Sequence, residues 1–276
     1  MDKVGGTALF GEKGCHLSWL GQAGFALSLA GKRLLIDPYL SDYLADKYRG
    51  RRYPHERLMP PPIAVAELPP VDLVLLTHRH GDHMDPWTLA ELLDHQTDCR
   101  FVLPIAERKH GLALGLPAQR CHFFDAGETI HIDRLRIAAT PGAHEACDTD
   151  EAGHHRYLGY VLSDGAITLF HSGDTVPFPA LDSALAAQVI DVALLPVNGR
   201  DEERRANGVP GNMTLTEAVD LCRRHRIKDL VVHHFSMFAF NTLAVEEIDR
   251  ALTEAAPQIR GLRPKPGLRY RCEPGP

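Results

Sequence analysis

The chain lacks any run of about eighteen or more apolar residues, which excludes a membrane-spanning helix and argues against a membrane partner. Its opening residues, MDKVGGTALFGEKG, lack the apolar heart of a secretion signal, so the expected location is cytoplasmic. Cysteine is sparse. Cys15, Cys99, Cys121, Cys147, Cys222 and Cys272 stand far apart with no CxxC pair, so neither a disulfide framework nor a thiolate zinc site is expected. Basic charge is also short: 30 Lys and Arg against 36 Asp and Glu give a formal net charge of -6. That balance argues against a nucleic-acid partner, because nonspecific binding there relies on many cations neutralising phosphates. Internal repeats, low-complexity tracts and linkers are absent, so residues 1–276 are expected to form one domain.

Apolar residues at 44% and charged residues at 24% are the proportions of a packed, water-soluble domain. From Cys15 to Asp37 the stretch CHLSWLGQAGFALSLAGKRLLID alternates apolar and polar residues between glycine-bearing turns, the pattern of consecutive antiparallel strands. The following DPYLSDYLADKYRGRRYPHERLMPPPI is polar, basic and proline-ended, and is expected to be a long surface loop. Helices are predicted at PWTLAELLDHQ, which has proline in a first-turn position, at IAERKHGLALG, and at VEEIDRALTEA. A fourth is predicted at TLTEAVDLCRRHR, where Thr214 and Glu217 make a capping-box pattern. Strands are expected at FVLP, CHFF, TIHI, LRIAAT, YLGYVLS, AITLFHS, VIDVALLPV and DLVVHH. Two groups of strands, each followed by helices, predict an α/β fold built as a four-layer αββα sandwich.

Histidine is the abundant residue, with sixteen copies, and three of them crowd into THRHGDHMD directly after the apolar run VDLVLL. Imidazoles and carboxylates beside a buried strand lose hydration unless they find partners. In H-x-H-x-D-H, His78 and His80 are two residues apart, while Asp82 and His83 are adjacent and must point in different directions, so one loop can feed two metals. Neutral imidazole and carboxylate are ligands that zinc, manganese or iron accept. The rest of the chain offers more candidates, each after an apolar strand: His144 after LRIAATPGA, Asp174 in AITLFHSGD, and His233 or His234 after DLVV. Strand alternation sends one member of that last pair inward and the other outward. Taken singly, each of these also suits a turn or surface position.

With these motifs in place the sequence resembles the metallo-β-lactamase superfamily, of which THRHGDHMD is the signature and PGAHE, HSGDT and VHHF the later ligand-bearing elements. The similarity spans roughly residues 15 to 240. WLGQAGFAL, IDPYLSD, HSGDT and PVNGRDEERRANGVPGNMTLTEAVDL further resemble the branch containing L-ascorbate-6-phosphate lactonase. The resemblance implies two divalent metal ions, zinc or manganese in preference to iron. It gives His78, His80 and His144 to the first, Asp82, His83 and His234 to the second, and Asp174 to both. His234 is preferred over His233 because the family places its ligand just before an aromatic residue, here Phe235.

Two such metals hold a water between them as hydroxide near neutral pH, so the implied activity is hydrolysis, of a lactone or related ester of a small, anionic metabolite. The alternatives are a phosphodiesterase of the same fold and, from another class, a di-iron redox protein. Asp82 is the candidate catalytic residue, passing a proton to the leaving oxygen. Asp37 and His171 are candidate partners that orient a ligand imidazole. Substrate contacts are expected from loops 39–62 and 198–213, the latter with Arg200, Arg204 and Arg205, whose guanidinium groups suit a phosphate or carboxylate. Assembly as a homo-oligomer is implied by resemblance alone.

Overall fold

The computed structural model describes residues 2–4, 9–256 and 258–274. The first sheet comprises β1 (Asp2–Val4), β2 (Cys15–Gly21), β3 (Gly24–Leu29), β4 (Lys32–Ile36), β5 (Leu73–Leu75), β6 (Arg100–Pro104) and β7 (Cys121–Phe124). The second comprises β8 (Thr129–Ile132), β9 (Leu135–Pro141), β10 (Leu158–Ser163), β11 (Thr168–His171), β12 (Val192–Pro196), β13 (Asp229–His233) and β14 (Arg260–Leu262). A last strand, β15 (Arg269–Cys272), returns to the first sheet and lies between β1 and β2. Each sheet is antiparallel on one side and parallel on the other. β2, β3 and β4 form a meander, whereas β4 to β7 run parallel; β8 to β11 alternate, whereas β11 to β14 run parallel.

Parallel neighbours need crossovers, and the helices supply them. α2 (Pro86–His95) and α3 (Arg108–Ala113) flank β6, while α4 (Pro179–Ala186), α6 (Leu215–Arg224) and α7 (Val245–Ala255) link β11 to β14. Two short helices, α1 (Tyr43–Lys47) and α5 (Glu202–Ala206), lie within loops. The inner faces of both sheets share one core: Leu17, Trp19, Phe25 and Ile36 meet Ile137, Tyr160, Phe170 and Leu194. Leu89 and Leu92 of α2 pack with Leu20, Leu35 and Val74 on the outer face of the first sheet. Leu181 of α4, Leu221 of α6 and Ile248 of α7 cover the second. This is the expected αββα sandwich. Each fully buried Leu or Phe in it contributes roughly 1.5–3 kcal/mol.

The segment expected to be a plain surface loop is a correction. It carries α1, and Tyr39, Leu40 and Leu44 are buried, packing with Met237 and Phe238 or against the outer face of the first sheet. No disulfide forms among the described residues, and Cys15, Cys99, Cys222 and Cys272 are buried. No helix among the described residues is long and apolar enough to cross a membrane.

The capping box at α6 is present: Thr214 Oγ1 accepts from Glu217 N at 3.3 Å and Thr214 N donates to Glu217 Oε2 at 2.8 Å. Arg200 clamps the same carboxylate with two bonds of 2.7 Å, and together with Thr214 pushes its pKa down to about 2. Glu217→Gln is therefore expected to cost about 1 kcal/mol at neutral pH, because the clamp is partly exposed to water; urea unfolding checks this. Because the folded pKa is depressed below the ordinary 4.5, the contribution is present above that value and fades as pH falls from about 4.5 toward 2. The stability difference between wild type and variant should shrink over that window; a constant difference would contradict the assignment.

Candidate metal centre

β5 ends at Leu75, and the chain then turns tightly, with His83 N and Met84 N both donating to His80 O at 3.0 and 2.8 Å. The turn projects His78, His80, Asp82 and His83 from one loop. Asp85, the second aspartate of the motif, does a different job. It caps α2 by accepting from Trp87 N at 3.1 Å, and it also accepts from Thr88 and Ser41. Gly81 lets the ring of Tyr43 and the side chain of Leu44 close over the loop, since a Cβ there would lie 2.7 Å from Leu44.

The remaining candidates arrive from the second sheet. His144 follows β9, Asp174 follows β11 and His234 follows β13. Asp174 rides on a turn at Gly173, whose φ of +61° and closeness to Leu158 O and Thr77 admit no other residue without strain. Ala143 N donates to Thr175 Oγ1 and Val176 N to Ala143 O, stitching the His144 and Asp174 loops together.

These side chains converge. Ligand atoms within each of three groups lie within 4.8 Å of one another: His78, His80 and His144; His78, His83 and Asp174; and Asp82, His83 and His234. Asp174 Oδ2 is 3.3 Å from His83 Nε2, 3.1 Å from His234 Nε2 and 3.7 Å from His144 Nε2, so it sits between the two outer groups. His233 points the other way and stacks on His171 with ring centroids 4.9 Å apart.

Hydrogen bonds set which ring nitrogens face the centre. His83 Nδ1 donates to Asp37 Oδ2 at 2.7 Å, His144 Nδ1 to Gly211 O at 2.9 Å and His78 Nδ1 to Thr77 Oγ1 at 3.0 Å. Thr77 in turn donates to Asp37 through both its hydroxyl, at 2.6 Å, and its backbone N–H, at 2.8 Å. In the neutral ring, each bond leaves Nε2 with its lone pair turned inward. His171 donates through Nε2 to Ala23 O and accepts at Nδ1 from Gly173 N, so it supports the turn that presents Asp174 rather than a ligand imidazole. Asp37 and His234 hold positive φ values of 42° and 63°, backbone conformations kept at functional sites when the surroundings enforce them.

Whether a metal suits this set is answered by its unpartnered atoms. His78 Nε2, His83 Nε2 and Asp174 Oδ1 are buried and lack hydrogen-bond partners. Burial, reinforced by neighbouring imidazoles, holds His78 well below the usual histidine range and brings His80 down to about 4; burial also lowers His144. These rings are neutral at pH 7, as ligands must be. Burial alone would lower His83 as well, but Asp174, Asp37 and Asp82 hold it well above its ordinary value. Where those carboxylates now favour a proton, a divalent cation would satisfy them better. The donor set of imidazoles and carboxylates without thiolate fits a divalent cation such as zinc, manganese or iron.

The centre lies at the floor of a cavity of about 800 Å³. Its walls include Lys47, Tyr48, Arg51, His55, Arg79, His110 and Phe238, with Gly208, Val209 and Pro210 from the far loop. Arg200, Arg204 and Arg205 do not line it. Arg200 pairs with Glu217, Arg204 with Asp201 and Asn241, and Arg205 with Glu145 at 2.5 Å. They brace the loop whose Gly211 carbonyl orients His144.

Several residues around the centre carried no distinguishing sequence signal. Tyr157 packs 5.0 Å from His78 and 5.6 Å from His144, and His55 stacks 4.2 Å from Tyr48. Gln22 is the most informative of those not anticipated: its Nε2 donates to Asp82 Oδ2 at 2.8 Å and lies 3.1 Å from His234 Nε2. Its setting between two glycine-flanked strands, in L-G-Q-A-G, was the available hint.

Two mixed sheets flanked by helices, with histidines and aspartates gathered where the strands end, define the class as the metallo-β-lactamase fold. The chain belongs to the family described as "Beta-lactamase superfamily domain", which matches residues 32–235. Among curated relatives it is similar to a UPF0173 metal-dependent hydrolase of Caldivirga maquilingensis, at 28% identity over 91% of this chain and 96% of that one. A UPF0173 metal-dependent hydrolase of Pyrococcus furiosus is 31% identical over 66% of this chain and 72% of its own. The isothiocyanate hydrolase from Delia radicum gut bacteria shares the fold, with a TM-score of 0.75 at 22% identity over 94% of this chain and 100% of that one.

Proposed function

We propose that the protein is a metal-dependent hydrolase that opens a lactone or related ester of a small anionic metabolite. The observation that carries this reading is one cavity with the histidine–aspartate centre at its floor and unpaired cations on its wall. Lys47, Arg51 and Arg79 form no ion pair among the described residues, whereas Arg52 nearby is bound to Glu203. The curated relatives, both metal-dependent hydrolases by description, support the reaction class. The resemblance of WLGQAGFAL and the stretch 196–221 to the lactonase branch supports the ester.

His78, His80 and His144 would hold one cation and Asp82, His83 and His234 a second, with Asp174 facing both. When bound, such cations lower the pKa of water toward neutrality and draw charge from the attacked carbonyl. The chain's own residues do the rest. The Tyr48–His55 stack shapes the cavity and displaces water from the substrate, while Tyr157 packs against the rings of His78, His80 and His144. Arg79, placed between His78 and His80, would take the anionic group and hold the substrate in the cavity. Asp82, the partly exposed carboxylate among these residues, would take up the proton released by the attacking water and pass it to the leaving oxygen.

The test is a panel of neutral and anionic lactones, with bis(p-nitrophenyl) phosphate alongside, assayed with zinc and with manganese. Anionic lactones are expected to turn over best. Arg79→Ala should raise KM for them about tenfold or more, the worth of one charge-assisted contact, with little change in kcat or for neutral lactones. Turnover of the phosphodiester alone would overturn the substrate assignment.

A further inference from the structure

We infer that the side-chain amide of Gln22 is a further ligand of this centre, its oxygen completing the Asp82–His83–His234 group. The inference rests on the metal-dependent reading above. The terminal nitrogen of Gln22 stands 2.8 Å from Asp82 Oδ2 and 3.1 Å from His234 Nε2. Atoms bound to one zinc at about 2.0–2.2 Å lie roughly 3.0–3.5 Å from one another, so the end of this side chain already occupies the place of a neighbouring ligand atom. The two arms of an amide have the same shape, and a half-turn about the last bond puts Oε1 where Nε2 now stands.

What decides between the two orientations is the charge in front of the amide. Facing a carboxylate alone, the NH₂ group is the better partner. Facing a cation that has claimed the lone pairs of Asp82 and His234, the carbonyl oxygen is. The other arm does not oppose the turn, because Oε1 is buried with no hydrogen-bond partner where it now lies.

The backbone supplies an independent observation. Gln22 is fully buried and holds a φ of +50°, and its carbonyl is gripped by Trp19 Nε1 at 3.0 Å and by His234 N at 2.9 Å. Trp19 itself stacks on Phe235, the residue after His234. A non-glycine residue held in the left-handed region by a ligand's own backbone is fixed in register with that ligand. Gln22 thus ties the turn between β2 and β3 to the end of β13.

An oxygen there would make the second group richer in hard donors than the all-imidazole set of His78, His80 and His144, so the two positions would differ in metal preference. The test uses metal-free full-length protein titrated with Co²⁺, followed by calorimetry and visible absorption. Wild type is expected to bind two equivalents; failure at this step would count against the metal reading itself, not against Gln22.

Gln22→Leu should weaken one equivalent about 10- to 100-fold, leave the other unchanged and intensify the cobalt bands of the weakened one, as coordination number falls. Gln22→Glu, which keeps an oxygen in place, should restore both the affinity and the wild-type spectrum. Thermal unfolding of the metal-free variants close to wild type would show that the fold is intact. A Leu variant whose second-equivalent spectrum and affinity match wild type would overturn the assignment, and so would a Glu variant that binds more weakly than Leu.

Discussion

Asp174→Asn is expected to abolish hydrolysis and to weaken metal binding by well over the roughly 100-fold that follows loss of an outer partner of a ligand. The carboxylate is 3 % exposed, and its Oδ2 lies 3.1 Å from His234 Nε2 and 3.3 Å from His83 Nε2. Burial alone would raise its pKa, yet His234 and His83 hold it well below the ordinary range, so it is an anion in the metal-free protein. Asparagine keeps the shape and deletes the charge. One of its two terminal atoms becomes an N–H donor aimed at lone pairs that are needed for a cation. His80→Ala should do less, because it removes one vertex of the group with His78 and His144 and leaves the group around Asp82 complete. Elemental analysis after dialysis, paired with turnover on the best lactone, checks both. Full metal content and full rate in the Asp174 variant would refute the shared role.

The second large effect is expected from a residue that touches no cation. Asp37 is fully buried and accepts from His83 Nδ1, Thr77 Oγ1 and Thr77 N. In Asp37→Asn the amide can satisfy only part of that set. If its NH₂ meets His83, the imidazole must move its proton to Nε2, the atom that faces Asp82 and Asp174. Metal affinity should therefore fall about 10- to 100-fold, the usual consequence of disturbing a ligand's outer partner. Stability should fall too, by about 1–3 kcal/mol, as a buried donor loses its acceptor. Competition with a chelator and urea unfolding measure the two effects separately. Affinity within twofold of wild type would show that His83 is oriented by something else.

Much of this candidate site was legible in the sequence because the residues that converge there are clustered or follow apolar strands, and strand ends are local features. THRHGDHMD, the turn at Gly173 and the capping box at Thr214 can each be read from a few residues. The same holds for the helices at 86–95, 215–224 and 245–255. What could not be read locally depends on distant pairing. β15 slots between β1 and β2 from the far end of the chain, and its sequence, RYRC, gives no sign of that partner. α4 begins at Pro179 in a short run of alanine and leucine too brief to declare a period. Arg200, Arg204 and Arg205 looked like anion clamps because their acidic partners, Glu217, Asp201 and Glu145, are revealed only by folding. Gln22 was missed for the converse reason: L-G-Q-A-G marks a turn between strands but does not announce His234, 212 residues away.

The donors come from both halves of the sandwich. The loop 78–83 hangs from the first sheet, and His144, Asp174 and His234 from the second. A cation held by both would act as a clasp across the seam, so prising the layers apart and releasing the ion would be a single event. Occupancy would then gauge how firmly the two halves are shut, and cells short of the ion would hold a looser protein as well as an idle one.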